Sequence, residues 1–218
     1  MDHGFQPEQL ARRTFLGLGL FVGQAFLYNA VYFTQALVLG RFFGVSGAVV
    51  GAYLIPLAVG SLVGPLVLGR LFDTVGRRPM IALSYLGSGV LLVVTAVLFQ
   101  QHVLSEVTLT IAWSVVFFLA SAGASAAYLT VSEVFPLEIR AMAIALFYSV
   151  GTGLGGIIGP VLFGSLVGTG DTAMVAIGYY LGAVIMMGGG VIELVFGVEA
   201  AQRSLEDVAS PLSAASAS

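Results

Sequence analysis

Long stretches without a single charged residue are the feature that most restricts the fold of this chain. A helix that crosses a bilayer needs about 20 predominantly apolar residues. Backbone N–H and C=O groups inside lipid must form hydrogen bonds within the protein, and an α-helix satisfies them within its own segment. Six charge-free stretches reach that length, at residues 14–40, 42–69, 79–99, 107–132, 141–170 and 172–192.

Composition agrees with a membrane protein. Of the 218 residues, 58% are hydrophobic and 9% are charged, whereas about a quarter of an average soluble domain is charged. The sequence has no cysteine, which excludes disulfides and thiolate metal sites. The net charge of −3 is scattered and forms no basic patch for nucleic acid. No catalytic set, metal-ligand spacing or phosphate-binding loop is present, so we expect no enzymatic activity, no metal and no cofactor.

We therefore predict an all-α membrane protein with six transmembrane helices. Residues 1–13 would form a cytoplasmic N-terminal tail, 14–200 the transmembrane domain, and 201–218 a disordered cytoplasmic C-terminal tail. The predicted helices lie near residues 15–39, 47–69, 79–99, 107–131, 141–166 and 173–195.

The distribution of arginine predicts the orientation. Arginine is enriched in cytoplasmic loops of membrane proteins. The first, third and fifth loops hold only Arg41, and the other seven arginines lie before the first helix, in the second and fourth loops, or after the last helix. Both termini are thus predicted to be cytoplasmic, in a multi-pass protein of the inner (plasma) membrane. All basic residues are Arg in a chain rich in Ala, Gly and Val, which indicates GC-rich codons and a bacterial source.

The sequence also repeats itself at an offset of 95 residues. Gly64-Pro65 recurs as Gly159-Pro160, and Tyr85-Leu86-Gly87 recurs as Tyr180-Leu181-Gly182. The match places the second helix over the fifth and the third over the sixth, and the members of each pair run in opposite directions. We therefore predict a 3+3 inverted repeat. A chance match in a chain rich in Gly, Ala and Leu is the alternative.

A compact charged turn joins the second and third predicted helices. It reads Gly-x-x-x-Asp-x-x-Gly-Arg-Arg over residues 69–78. This pattern resembles the loop between the second and third helices of each half of a major facilitator superfamily transporter. The resemblance implies half of that fold, six helices with nested inverted repeats. Asp73 is expected to bond backbone N–H groups at the start of the following helix.

A second charged loop lies between the fourth and fifth helices, at residues 132–140. It resembles the Glu-x-Phe-Pro…Arg segment of sugar porters and related carriers, in which these two loops form a network that closes the cytoplasmic side. The alternative is that the charges only fix topology. The resemblance implies five cytoplasmic-gate residues: Asp73, Arg77, Arg78, Glu133 and Arg140.

The first predicted helix carries the candidate substrate residues. Residues 23–35 are similar to a sugar-porter segment whose Gln and Asn hold sugar hydroxyls, and Gln24 and Asn29 fall on those places. The two are about 140° apart on a helix, so both would face one cavity only if the helix is broken. Amides that serve as interhelical glue are the alternative. The predicted substrate-binding residues are Gln24, Tyr28, Asn29, Tyr32 and Gln35.

Two further residues have predicted structural roles. Trp113 is expected to anchor the fourth helix at the membrane interface. Glu193 is expected to reach the lipid headgroups from the end of the sixth helix.

Residues 123–128 lack the prolines and the tryptophan that sugar porters have there, which puts hexose recognition in doubt.

These features predict a secondary carrier for a small polar solute such as a sugar or an organic acid. The chain resembles the C-terminal half of a major facilitator, in the neighbourhood of sugar porters and metabolite:proton symporters. The expected partners are the solute, the lipid bilayer, and either a missing N-terminal half or a second copy. A truncated gene or a misplaced start would explain a lone half. A self-pairing half-transporter and a non-transporting scaffold or receptor are the alternatives.

Overall fold

A computed structural model describes residues 7–197, and all their regular structure is helical. A short 3-10 segment, Gly51–Tyr53, precedes α4. The α-helices are α1 (Pro7–Val31), α2 (Gln35–Phe43), α3 (Gly47–Val50), α4 (Leu54–Thr74), α5 (Arg77–Gln100), α6 (Glu106–Val134), α7 (Leu137–Gly168) and α8 (Thr172–Phe196).

Six segments in this part of the chain are long and apolar enough to cross a membrane, which confirms the six predicted spans. The first combines α1 with α2, the second combines α3 with α4, and α5 to α8 are one span each. The predicted tail 201–218 and residues 1–6 lie outside the described residues.

The first span differs from its prediction in its start and its continuity. It begins at Pro7, a residue type favoured in the first turn because its missing N–H needs no partner there. It is interrupted by a turn at residues 32–34. The Thr34 hydroxyl donates to the carbonyl of Ala30, which the Thr34 N–H would bond in a continuous helix. α2 therefore begins as a separate helix at Gln35.

The helix contacts follow the inverted repeat. α4 of the first three spans packs on α6, and its counterpart α7 of the last three spans packs on α1. α5 packs on α6 as α8 packs on α1, while α5 and α8 pack on each other. Exchanging the first three spans with the last three leaves this pattern unchanged. The fold is therefore the predicted six-helix bundle, consistent with half of a major facilitator fold.

Glycines bring the repeated helix pairs into backbone contact. At Gly64 of α4 a Cβ atom would overlap the backbone of Phe118 in α6. At Gly155 of α7 a Cβ would lie 2.8 Å from the carbonyl oxygen of Ala25 in α1. Small residues permit such close helix packing in membranes. The repeated glycines are therefore packing residues.

Burial divides the spans into two groups. Only 11% of the second span and 22% of the fifth are buried, against 50% to 61% for the other four. α4 and α7 are thus the peripheral helices, and they correspond to each other in the repeat. Their exposed side chains are apolar, for example Leu66 at 72% and Val161 at 70% exposed. These faces suit lipid or another apolar helix surface.

Two predicted positions are wrong. Trp113 is fully buried and packs edge-on against Tyr179 of α8, with ring centroids 6.1 Å apart, so it is a core residue. Glu193 is also fully buried and does not reach the headgroups. Gly190 of α8 lies so close to α5 that a Cβ there would be 2.9 Å from Leu86 Cγ. This close approach encloses the face of α8 that carries Glu193.

Candidate functional site

A cavity of about 500 Å³ lies between α1, α4, α6 and α7. It is near the middle of the spans, because Gln24, Ser121 and Thr152 each sit near the centre of their segments. The cavity is open to one side, where Tyr148 is 52% exposed. Its lining consists of Phe21, Gln24, Ala25, Tyr28, Asn29, Phe33, Ser61, Ser121, Ala124, Ser125, Tyr128, Tyr148 and Thr152.

Two predicted amides meet in this cavity. Gln24 is 6% exposed, and its Oε1 atom has no hydrogen-bond partner among the described residues. Asn29 is 9% exposed, and its Nδ2 donates to the carbonyl of Ala25 at 2.6 Å. Buried acceptors in folded proteins almost always have a partner. Gln24 therefore retains an unused acceptor at the centre of the bundle.

The helix is not broken between these amides, so the condition that we set for both to face one cavity does not hold. α1 is continuous to Val31. Phe21, Ala25 and Tyr28 fill the 140° arc between Gln24 and Asn29, and all of them line the cavity. Both amides therefore reach the cavity because the cavity is wide, and the helix does not need to be broken.

Tyr28 also lines the cavity, as predicted. Its hydroxyl is 2.6 Å from Ser121 Oγ, and its ring packs edge-on against Phe117 with centroids 4.8 Å apart. The hydroxyl and the ring are therefore both held by α6, which fixes this part of the cavity wall.

Tyr32 and Gln35, two of the predicted substrate-binding residues, do not line this cavity, and their role stays a prediction. Tyr32 packs on Phe117, with ring centroids 5.6 Å apart. Gln35 is fully buried and its Nε2 donates to the carbonyl of Tyr53 at 2.8 Å. The turn at 32–34 separates Gln35 from the continuous helix α1, which carries Gln24 and Asn29.

Three aromatic residues that the sequence analysis did not assign to the site form one wall of the cavity. The rings of Phe21 and Tyr128 meet edge-on with centroids 4.6 Å apart, and those of Tyr128 and Tyr148 are 6.4 Å apart. A signal was present in α6, where Ser121, Ser125 and Tyr128 follow the i, i+4, i+7 spacing of one helix face.

At one end of the bundle, which we call the arginine end, the turns α4–α5 and α6–α7 lie beside the start of α1 and the end of α8. Here Arg77 of α5 forms an ion pair with Glu133 of α6, and their side chains are 16% and 17% exposed. The two predicted charged loops are therefore joined by this pair.

The other predicted gate residues bond elsewhere. Arg78 donates to the carbonyl of Leu194 near the end of α8. Arg140 donates to the carbonyl of Phe135 in its own turn, through Nε and Nη2, both at 3.4 Å. Cations near helix C-termini are favourable because the helix dipole is negative there. These arginines fix helix ends at the arginine end.

Asp73 does not cap the following helix, and that prediction was wrong. It lies exposed on the last turn of α4, and no hydrogen bond or ion pair joins it to another described residue. The N-cap of α5 is Gly76, with φ 113°, a value that favours glycine. Because α4 continues through Thr74, the Asp73 carboxylate is on a helix rather than in the turn.

Comparison with known proteins is consistent with this architecture. A search among curated proteins found no match. The sequence profile of the Major Facilitator Superfamily matches residues 14–215, most of the chain. Members of that family are membrane transporters rather than enzymes. The chain therefore belongs to the Major Facilitator Superfamily.

Proposed function

We propose that this chain is one six-helix unit of a secondary transporter, which moves a small polar solute such as a sugar or an organic acid by alternating access. The observation that carries the proposal is the cavity in the middle of the spans, with the unused acceptor of Gln24 in its wall. Polar groups at this depth are costly in lipid and mark solute pathways. Transporters of this kind bind their solutes near the midplane.

The cavity needs a second wall. Tyr148 and Phe33 leave it open to one side, and the bordering helices α4 and α7 are the least buried spans. We infer that a second six-helix unit, either an N-terminal half or another copy of this chain, covers that side.

The Arg77–Glu133 pair is proposed as the gate at the arginine end. It connects α5 to α6 and is partly shielded from water. Exposed ion pairs contribute roughly 0–1 kcal/mol, but a pair made in one state only biases the equilibrium between two states. Arg77 and Glu133 would thus favour the state in which the cavity is closed at this end.

Thiol labelling of Ser125→Cys tests alternating access without knowledge of the solute. Ser125 lines the cavity and is exposed, and the chain has no other thiol. We expect labelling from both membrane faces, with Arg77→Ala increasing the labelling rate from the arginine end severalfold. The labelling rate from the opposite membrane face should decrease, by a smaller factor.

Asp73→Asn is the matched control, because Asp73 lies at the end of α4, four residues before Arg77, and its exposed side chain contacts none of the charged groups described. It should leave both labelling rates unchanged. Labelling of Ser125→Cys from one face only, with no response to Arg77→Ala, would contradict alternating access. That result would favour a non-transporting scaffold or receptor.

Orientation is tested by three exposed positions. We propose that the arginine end and both termini face the cytoplasm of a bacterial inner membrane. Thr74→Cys and Leu137→Cys should then react with an impermeant thiol reagent from the cytoplasmic side, and Gln101→Cys from outside. Reaction of Thr74→Cys from outside in intact cells would invert the proposed orientation.

A further inference from the structure

We propose that the cavity selects an uncharged solute that combines a flat, weakly polar ring with at least one hydrogen-bond donor. This deepens the proposed function and rests on it, because it assigns the solute class to the same cavity. It narrows the sugar or organic acid of that proposal to neutral ring compounds such as aryl glycosides and hydroxylated aromatics. Charge, hydrogen bonding and ring contacts each support the choice.

The first support is the absence of charge. None of the residues that the structure shows lining the cavity is Asp, Glu, Lys, Arg or His. The arginines described above bond at the ends of the helices, away from the cavity. A carboxylate or an ammonium group that enters such a cavity loses water without gaining an opposite charge from the residues that this chain supplies. A neutral solute avoids this penalty.

The second support is the pattern of used and unused polar groups. The hydroxyls of Tyr28 and Ser121 bond each other, and Asn29 Nδ2 is taken by the carbonyl of Ala25. The Oε1 of Gln24 has no partner among the described residues and is shielded from solvent. Rotation of the Gln24 side chain, which lines the cavity, would present this acceptor to a solute. The group it lacks is a donor, such as a hydroxyl or an N–H.

The third support is the aromatic wall of Phe21, Tyr128 and Tyr148. The rings are mutually supported by edge-on and tilted contacts. Tyr128 is 36% and Tyr148 is 52% exposed, so part of each ring is available to a ligand. Aromatic faces bind other rings in stacked or edge-on geometry. A ring on the solute can therefore contact the exposed rings of Tyr128 on α6 and Tyr148 on α7.

Binding of four probes to the full chain in lipid nanodiscs, measured by calorimetry, tests this selection. The probes are 4-nitrophenyl β-glucoside, glucose, benzoate and benzyltrimethylammonium. They separate the neutral ring compound from a ring-free sugar, an anionic ring and a cationic ring. We expect the nitrophenyl glucoside to bind at least about tenfold more tightly than each of the other three.

Variants separate the roles of the amide and the ring. Gln24→Ala should weaken the binding of the nitrophenyl glucoside by roughly tenfold to a hundredfold. Gln35→Ala, a buried amide in the same span but outside the cavity, should not change its affinity. Tyr148→Ala should weaken the nitrophenyl glucoside and leave glucose unchanged. Gln24→Glu should increase the affinity for benzyltrimethylammonium, a gain that misfolding cannot produce.

Three results would overturn the inference. The first is that the wild-type chain binds benzoate or benzyltrimethylammonium more tightly than the nitrophenyl glucoside. The second is that the Gln24 variants bind the nitrophenyl glucoside as tightly as the wild-type chain does. The third is that no probe shows saturable binding. None of them affects the labelling of Ser125→Cys, which needs no solute. Failure of the solute class and failure of alternating access are therefore distinguishable.

Discussion

We expect Gly64→Ala to destabilise the bundle by about 1–3 kcal/mol or more, although alanine is the better helix former. The added Cβ would overlap the backbone of Phe118 in α6. A backbone carbonyl cannot rotate away as a side chain can, so α4 must move from α6, one of the largest contacts in the bundle. The measurement is unfolding of the purified chain in mixed micelles, followed by circular dichroism.

Gly69→Ala in the same helix is the matched control. No other group lies within 4 Å of a Cβ at Gly69, so this change should be neutral or stabilise by up to about 1 kcal/mol. The inverted repeat supplies a second pair of variants in α7. Gly155→Ala should destabilise the bundle, whereas Gly153→Ala should not. Equal stability of Gly64→Ala and Gly69→Ala would show that α4 does not pack on α6 as described.

The features that could be predicted from the sequence depend on hydrophobic length and regular spacing. Apolar stretches identify the spans because the bilayer sets the length of a helix. The offset of 95 residues identifies the inverted repeat, whose helix contacts the structure shows. Arg77 and Glu133 carry opposite charges and lie beside two short loops that the arginine distribution places on the same side of the membrane. Their ion pair was therefore accessible to prediction.

The errors arose where the direction of a side chain depends on tertiary contacts. Gln35 shares a face with Gln24 in an ideal helix, but the turn at 32–34 interrupts that register, and Gln35 does not line the cavity. Trp113 and Glu193 are typical of helix ends facing a membrane interface. The close approach of α8 to its neighbours buries both residues, and no local pattern shows how near another helix comes.

The aromatic wall illustrates the same limit for the candidate site. Phe21, Tyr128 and Tyr148 belong to three different helices, and they meet only because α7 packs on α1 and α1 contacts α6. An aromatic residue in a membrane span has many structural roles, so its type alone does not indicate a ligand. The polar stripe of α6 was the one regular signal of this wall.

We further expect that this chain, reconstituted alone in liposomes at less than one copy per vesicle, shows no saturable uptake of sugars or organic acids. The cavity is open beside Tyr148, and the neighbouring α7 is buried over only 22% of its span. A solute in such a half-open cavity would face lipid on one side, where each unsatisfied polar group costs several kcal/mol. In the function that we propose, a second unit closes this path.

The dependence of uptake on protein density identifies that second unit. If two copies of this chain pair, uptake should appear as the number of copies per vesicle rises above one, and it should grow faster than in proportion to that number. If a separate half is required, uptake should stay absent at every density. Saturable uptake at single-copy density would contradict the prediction, because one six-helix unit would then enclose the path. In any assembly that does transport, Gln24→Ala should weaken apparent affinity roughly tenfold to a hundredfold, since a buried hydrogen bond to the solute is lost.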